Sequence, residues 1–255
     1  MKLEVLMAAM NQKDFHLVEK ANIQSDAIII NQSDEFDYST YEYNNHTIKM
    51  YSFAERGIGK SRNKALMASD ADICLLADDD VKYKENYSEI VLKEFEKYPE
   101  ADVIIFDFNI LEEDGYRSYH NQNKKINYLN FMKHGGPKIA FRRESIVREN
   151  IFFSLLFGGG AKYGSGEDTI FLKECLDANL KIIETDKNIG EIDNRESSWF
   201  EGHTIQYFYD KGALYKMLFP RMWPFMCTQH MIRHHRQEES FWVRLREMFK
   251  GAQDF

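Results

Sequence analysis

The stretch Ile73-Cys74-Leu75-Leu76-Ala77-Asp78-Asp79-Asp80 decides the fold. Five apolar residues in a row read as a buried strand, and three carboxylates follow at once. Like charges at the end of a buried strand repel one another unless a cation meets them. Carboxylate oxygens are hard ligands that suit Mg²⁺ or Mn²⁺. In an open α/β sheet the carboxyl end of a strand faces the ligand crevice. The competing reading is a solvated acidic turn before the next helix.

Working outward, Leu3–Met10 and Ala27–Ile30 read as buried strands, and Thr47–Tyr51 as a third. Helical spacing appears around Phe15–Ala21, over about 61–68 and from Tyr87 to Tyr98. Strands alternating with helices over the first hundred residues predict a parallel sheet covered on both faces. The second half is less regular. Residues 109–130 read as loop with short strands, Lys138–Phe141 and Lys181–Glu184 as strands, and Glu167 to about Ala178 as a helix. Gly158-Gly159-Gly160 and Gly164-Ser165-Gly166 bracket a loop read as mobile.

The 255 residues and 44% apolar content suit one large α/β domain with a small appendage. Cys74, Cys175 and Cys227 are far apart and read as buried thiols of a reducing compartment. The N-terminus carries no signal-peptide pattern, and no apolar run is long enough to span a membrane. Net charge is −8. Residues 203–255 hold 8 Lys/Arg against 5 Asp/Glu, a balance of +3, which leaves −11 on the rest. So acidic a body argues against nucleic acid as a partner.

Upstream of the aspartates lies Arg56-Gly57-Ile58-Gly59-Lys60-Ser61-Arg62-Asn63. Two glycines, three cations and a helix start suit a diphosphate. The plain alternative is a turn with a serine cap and a solvated basic edge. The whole stretch, RGIGKSRNKALMASDADICLLADDDV from Arg56 to Val81, resembles the donor-site core of family 2 glycosyltransferases with the GT-A fold. The resemblance runs from Leu3 to about Gly202 and leans toward bacterial enzymes that build capsular or other surface polysaccharides.

The resemblance implies a GT-A fold, mainly parallel with helices on both faces, over residues 1–202. Residues 1–108 would form the nucleotide-sugar half, 109–202 the acceptor half, and 203–255 a helical extension. It implies transfer of a sugar from a nucleotide diphosphate, UDP first, to a hydroxyl of a surface polysaccharide or lipid-linked glycan, with inversion. By similarity Asp80 binds Mn²⁺ or Mg²⁺, and Asp78 contacts the metal or the ribose, with Asp79 behind them. Arg62 would approach the diphosphate. Ala8, Asn11 and Asp34 occupy the nucleoside-contact loops, although Asp34 also suits an Asx turn.

Glu167-Asp168 matches the family's acidic pair at a helix start. Asp168 would be the catalytic base and Glu167 an acceptor contact, although Ser165-x-x-Asp168 also reads as a capping box. The metal's third ligand stays unassigned among Glu191, Asp193, His203 and water; relatives carry a histidine where this chain reads Ile189–Asn194. His230, His234 and His235 read as solvated.

A haloacid-dehalogenase-type phosphatase also ends a strand in D-x-D, but Lys82 and three preceding strands fit it poorly. A sugar nucleotidyltransferase and a non-catalytic membrane scaffold are the remaining alternatives. In the extension, Phe241, Leu245, Met248 and Phe249 share one helical face, with Arg244 and Glu247 away from it. Such a face suits an anionic membrane surface, packing on the catalytic domain, or a homodimer. The expected location is cytoplasmic, peripheral on the inner face of the cell membrane.

Overall fold

The computed structural model describes residues 1–112, 115–118, 123–193, 202, 204–233 and 240–255. Its centre is a ten-stranded sheet. Strand β1 (Leu3–Met10), apolar but for the buried Glu4, lies between β2 (Asp26–Gln32) and β5 (Ile73–Asp78), parallel to both. Strand β4 (His46–Phe53) extends this parallel group beyond β2, and β3 (Asp37–Tyr43) closes that edge antiparallel. Past β5 the sheet turns mixed. Strand β9 (Ile139–Arg142) runs antiparallel between β5 and β7 (Val103–Glu112), and β10 (Ile182–Asp193) runs parallel to β7. The short β6 (Val81–Tyr83) pairs with β10, and β8 (Gly115–Ser118) with β7. The parallel expectation holds for β4-β2-β1-β5 and for β7-β10.

Successive side chains of the inner strands point to opposite faces, so each continuous apolar run feeds two cores. On one face Val5, Met7, Leu75 and Ala77 meet α1 (His16–Lys20) and α3 (Tyr87–Lys97). On the other, Leu6, Cys74 and Leu76 share a core with α2 (Ile58–Ala68), α4 (Arg143–Arg148) and α5 (Glu167–Asp177). All three cysteines are free and buried.

Strand β3 is one element the sequence reading lacked, as are β6 and α4 (Arg143–Arg148). The β3 segment DYSTYEY mixes polar and aromatic residues without a strict alternation along an exposed edge. The turn to β4 is Asn44-Asn45, with φ of 51° and 64°, the left-handed conformation that two-residue hairpins favour.

Three helices close the chain: α6 (Ile205–Leu218), α7 (Trp223–Arg233) and α8 (Phe241–Asp254). Ala213, Leu214 and Leu218 of α6 join the core under α5. The face of α8 read as a surface for lipid or partner packs instead on α6 and α7. Met248 is fully buried, and Phe249 lies 4.9 Å from Trp223, ring to ring. Arg244, expected to point outward, is buried 5.3 Å over the Phe208 ring, because α6 covers that side of α8. Among the described residues no helix is long and apolar enough to cross a membrane.

Helices α6 and α8 cross on two glycines. A Cβ on Gly212 would collide with the Met248 carbonyl, and one on Gly251 with that of Tyr209. Such a contact leaves no room for a side chain, and overpacking costs about 1–3 kcal/mol or more. Gly212→Val should therefore lower the unfolding free energy measured in urea by at least that amount. A Gly212→Val chain as stable as the parent would show that the crossing is loose.

Candidate active site

The carboxyl ends of β1, β2 and β5 converge on one corner. Ala8 stands opposite Asp78 in the β1–β5 register, and the two line a narrow pocket with Gln32, Ile58 and Asp79. Asn11, just past β1, is left-handed at φ 53° and its N–H donates to the Gln32 carbonyl at 3.0 Å. Asp34, past β2, is exposed and accepts from Arg56 Nη2 at 2.9 Å. Arg56 also donates to the Ser33 carbonyl. Ala8, Asn11 and Asp34, expected as nucleoside contacts, are thus gathered, and Arg56, read as a diphosphate cation, is tied to Asp34.

The centre of the site is Arg62 on α2, 1% exposed. Its Nη2 donates to Asp78 Oδ1 at 3.2 Å, and its Nη1 to Glu167 Oε1 at 3.0 Å and to Asp168 Oδ1. One guanidinium so joins the end of β5 to the start of α5. Burial alone pulls Arg62 down, but Asp168, Asp78 and Glu167 more than offset it and its pKa is raised. The expectation that Arg62 approaches a diphosphate changes accordingly, because both terminal nitrogens are occupied by carboxylates.

Asp168 is held from two sides. Arg62 takes Oδ1, and the Gly136 amide donates to Oδ2 at 2.6 Å. The capping-box reading of Ser165 and Asp168 fails. The α5 N-cap is Gly166 at φ 122° with no side-chain cap, and Ser165 Oγ accepts at 3.4 Å from Lys211 Nζ of α6. Glu167, expected beside the acceptor, is turned inward. One of its oxygens meets Arg62 and the other accepts from the Gly166 amide at 3.1 Å, because the Arg62 charge needs a buried partner.

Close glycine contacts set the spacing. Ile58 N–H donates to the Gly159 carbonyl at 2.9 Å, and a Cβ on Gly59 would strike the Ser154 carbonyl. A Cβ on Gly158 would sit 2.8 Å from Glu167 Oε2. The glycines of 158–160 thus dock a loop against the start of α2. Helix α6 braces the next turn, where Asp210 Oδ2 accepts from the Gly164 amide at 2.8 Å.

Asp79 and Asp80 stand beyond Asp78, outside the Arg62 fork, and Asp78, Asp79, Asp80 and Glu167 all have raised pKa values. Burial raises Asp78 and Asp79. Burial, then Asp78 and Asp79, pushes Asp80 up to about 7. Burial and then Asp168 push Glu167 to about 7. Asp80 Oδ1 is buried with no hydrogen-bond partner, an orphan oxygen in a strongly negative corner. That oxygen and the hard-ligand set fit a divalent cation. Among the described residues no cluster of three or more His, Cys, Asp or Glu is arranged around a metal position, so protein ligands alone do not complete a shell. Of the three residues weighed as a third ligand, Asp193 is adjacent, with its N–H on the Asp80 carbonyl at 3.1 Å, while Glu191 pairs across from Lys82. His203, Asn194, His234 and His235 lie outside the described residues. His230, read as solvated, is buried with Nδ1 2.8 Å from the Tyr215 hydroxyl.

Sequence reading missed Gly136, Gln32 and Asp210. A visible signal for the first was Gly135-Gly136-Pro137, a sharp turn beside His134. A Cβ on Gly135 would press on Asp168 at 3.3 Å.

Comparison with known proteins bears on this geometry. The model of Glycosyl transferase family 2 matches residues 27–152. A search of curated proteins returns no match. Among solved structures, S. aureus TarS 1-349 in complex with UDP-GlcNAc superposes with a TM-score of 0.62 at 15% identity, covering 100% of this chain and 73% of that one. The same protein in complex with UDP gives 0.60 at 15% identity, over 98% and 70%. At that identity the likeness speaks for the fold, a GT-A architecture. Residues 27–152 belong to glycosyl transferase family 2.

Proposed function

We propose that the protein is a metal-dependent glycosyltransferase that moves a sugar from a UDP-linked donor to a glycan hydroxyl with inversion. The observation that carries the reading is the Arg62 fork, which joins the D-x-D carboxylate Asp78 to Asp168, the latter 106 residues beyond Arg62 in the chain. A donor corner and a base are then fixed relative to each other. UDP and UDP-GlcNAc in the titles of the similar structures support UDP-GlcNAc as the first donor to test.

Asp80 and Asp78 would hold Mn²⁺ or Mg²⁺. When bound, that ion supplies charge stabilisation to the leaving diphosphate. The protein's own residues do the rest. Ala8, Asn11, Asp34 and Asp79 border the nucleotide corner, where Asp34 can accept a base N–H. Asp168 takes the acceptor proton. Each of its oxygens already accepts one hydrogen bond, from Arg62 or Gly136, which fixes its plane and leaves a lone pair for the hydroxyl. The acceptor class is a growing surface polysaccharide or lipid-linked glycan, met at the cytoplasmic face of the membrane.

The test is a thermal-shift screen of nucleotide sugars with and without Mn²⁺, followed by product analysis. Release of UDP supports the reading, and release of pyrophosphate would make the protein a nucleotidyltransferase.

Asp168→Asn should spare UDP binding and cut turnover by about 10²–10⁴-fold, the range of a general base. Near-normal turnover would remove Asp168 from the chemistry.

Asp80→Asn should abolish Mn²⁺-dependent UDP binding and alter the pH dependence of stability. Folded Asp80 keeps its proton to about pH 7, whereas the unfolded side chain loses it near 3.8. The folded state therefore binds more protons across that window, and the metal-free protein loses stability as pH rises through it. Melting of the metal-free Asp80→Asn chain should fall less between pH 5 and pH 7 than that of the parent. Equal falls would show that Asp80 is not the strained group.

A further inference from the structure

Helix α7 buries Cys227, His230 and Met231, yet its other side is also apolar. Phe225 and Ile232 are more than 60% exposed, and Met222 before them is also exposed. Facing α7, the turn that ends at Lys133 leaves Leu129 94% exposed. Between the two lies a cavity of about 610 Å³, large enough for a small-molecule ligand. Its walls are Met132, Phe219, Met222, Phe225 and Met226, and its lining also takes in Lys133 and Arg233. Both cations are exposed, and among the described residues no salt bridge involves either.

We propose that this cavity takes the hydrocarbon chain of an anionic lipid, with the lipid phosphate held by Lys133 and Arg233. Unbranched methionines and aromatic edges adapt to a flexible chain. Residues 1–202 carry −11 and residues 203–255 carry +3, so an anionic membrane repels most of the molecule and attracts this end. The cavity mouth is turned to that membrane, and exposed Leu129 and Phe225 enter its interface. A second copy of the chain fits less well. A two-fold contact through this face brings the same cations of both copies together.

The cavity also borders the acceptor side of the site. Lys133 is followed by His134, Gly135 and Gly136, whose amide holds Asp168. Helix α6 gives Tyr215 and Phe219 to the cavity wall and Asp210 to the Gly164 turn. Resting on the transferase reading, the bound lipid is the carrier of the acceptor glycan.

Flotation of the full chain with phosphatidylcholine vesicles, with and without phosphatidylglycerol, tests the surface. Calorimetry with dodecyl phosphate below its micelle concentration, against inorganic phosphate, tests the cavity. The expected result is uptake by the anionic vesicles and by dodecyl phosphate alone. Reversing both cations, Lys133→Glu with Arg233→Glu, should weaken each about tenfold or more. Met226→Trp, which fills the cavity, should weaken dodecyl phosphate binding while the UDP-induced thermal shift is kept. Parent-like binding in either variant overturns the proposal. So does a dimer that Leu129→Asp dissociates in a chain that takes up no lipid. Lipid binding without any UDP-induced shift keeps this proposal and removes the transferase reading.

Discussion

A single buried cation organises the molecule's chemistry. Arg62 is removed from water, which is costly unless every charge near it is matched. Three carboxylates match it: Asp78 from the end of β5, and Glu167 and Asp168 from the start of α5. The planar fork of arginine can serve partners on both terminal nitrogens at once, a geometry that a lysine ammonium does not offer. Breaking one partner of such a cluster leaves buried charge uncompensated, at a cost of about 3–5 kcal/mol. The site and the fold are thus tied by one side chain.

The fork works only if α2 and α5 stay at fixed distance, and that is set by backbone contact. Gly59 admits the Ser154 carbonyl, and Gly158 admits Glu167. Any Cβ at these positions would push α2 away from the loop before α5 and stretch the bonds to Arg62. The three glycines of 158–160 therefore read better as packing elements than as a flexible run. A loop can be rich in glycine because it must approach closely.

Where side-chain pattern and burial agree, the sequence was legible. The continuous apolar runs of β1, β2 and β5 and the helical spacing of α3 and α5 all correspond to observed elements. So does the delivery of Asp78 to the crevice. Edge strand β3 escaped because its exposed side chains carry no apolar alternation, and only the Asn44-Asn45 turn betrays it. Arg244 escaped because a charged residue on a helix reads as outward, whereas long stems bury well over an aromatic ring. The partners of Arg62 were visible as motifs but not as partners. A separation of 106 residues leaves no periodic signal, and the diphosphate reading took the same arginine for a ligand contact.

The negative charge of the corner gathers beside one buried guanidinium. Burial raises Asp78, Asp79 and Asp80, and neighbouring carboxylates raise Asp78 and Asp80 further. Hydrogen bonds relieve Asp78 through Arg62 and relieve Asp168 through Arg62 and Gly136, but Asp80 Oδ1 has no such partner. Strain therefore collects at Asp80, the carboxylate of this corner with an unpartnered buried oxygen. An enzyme that needs a cation at one point and a fixed base at another meets both needs by satisfying the second pair internally and leaving the first to its ligand. On the reading proposed above, the unpartnered Asp80 oxygen is where a divalent ion would gain its binding energy.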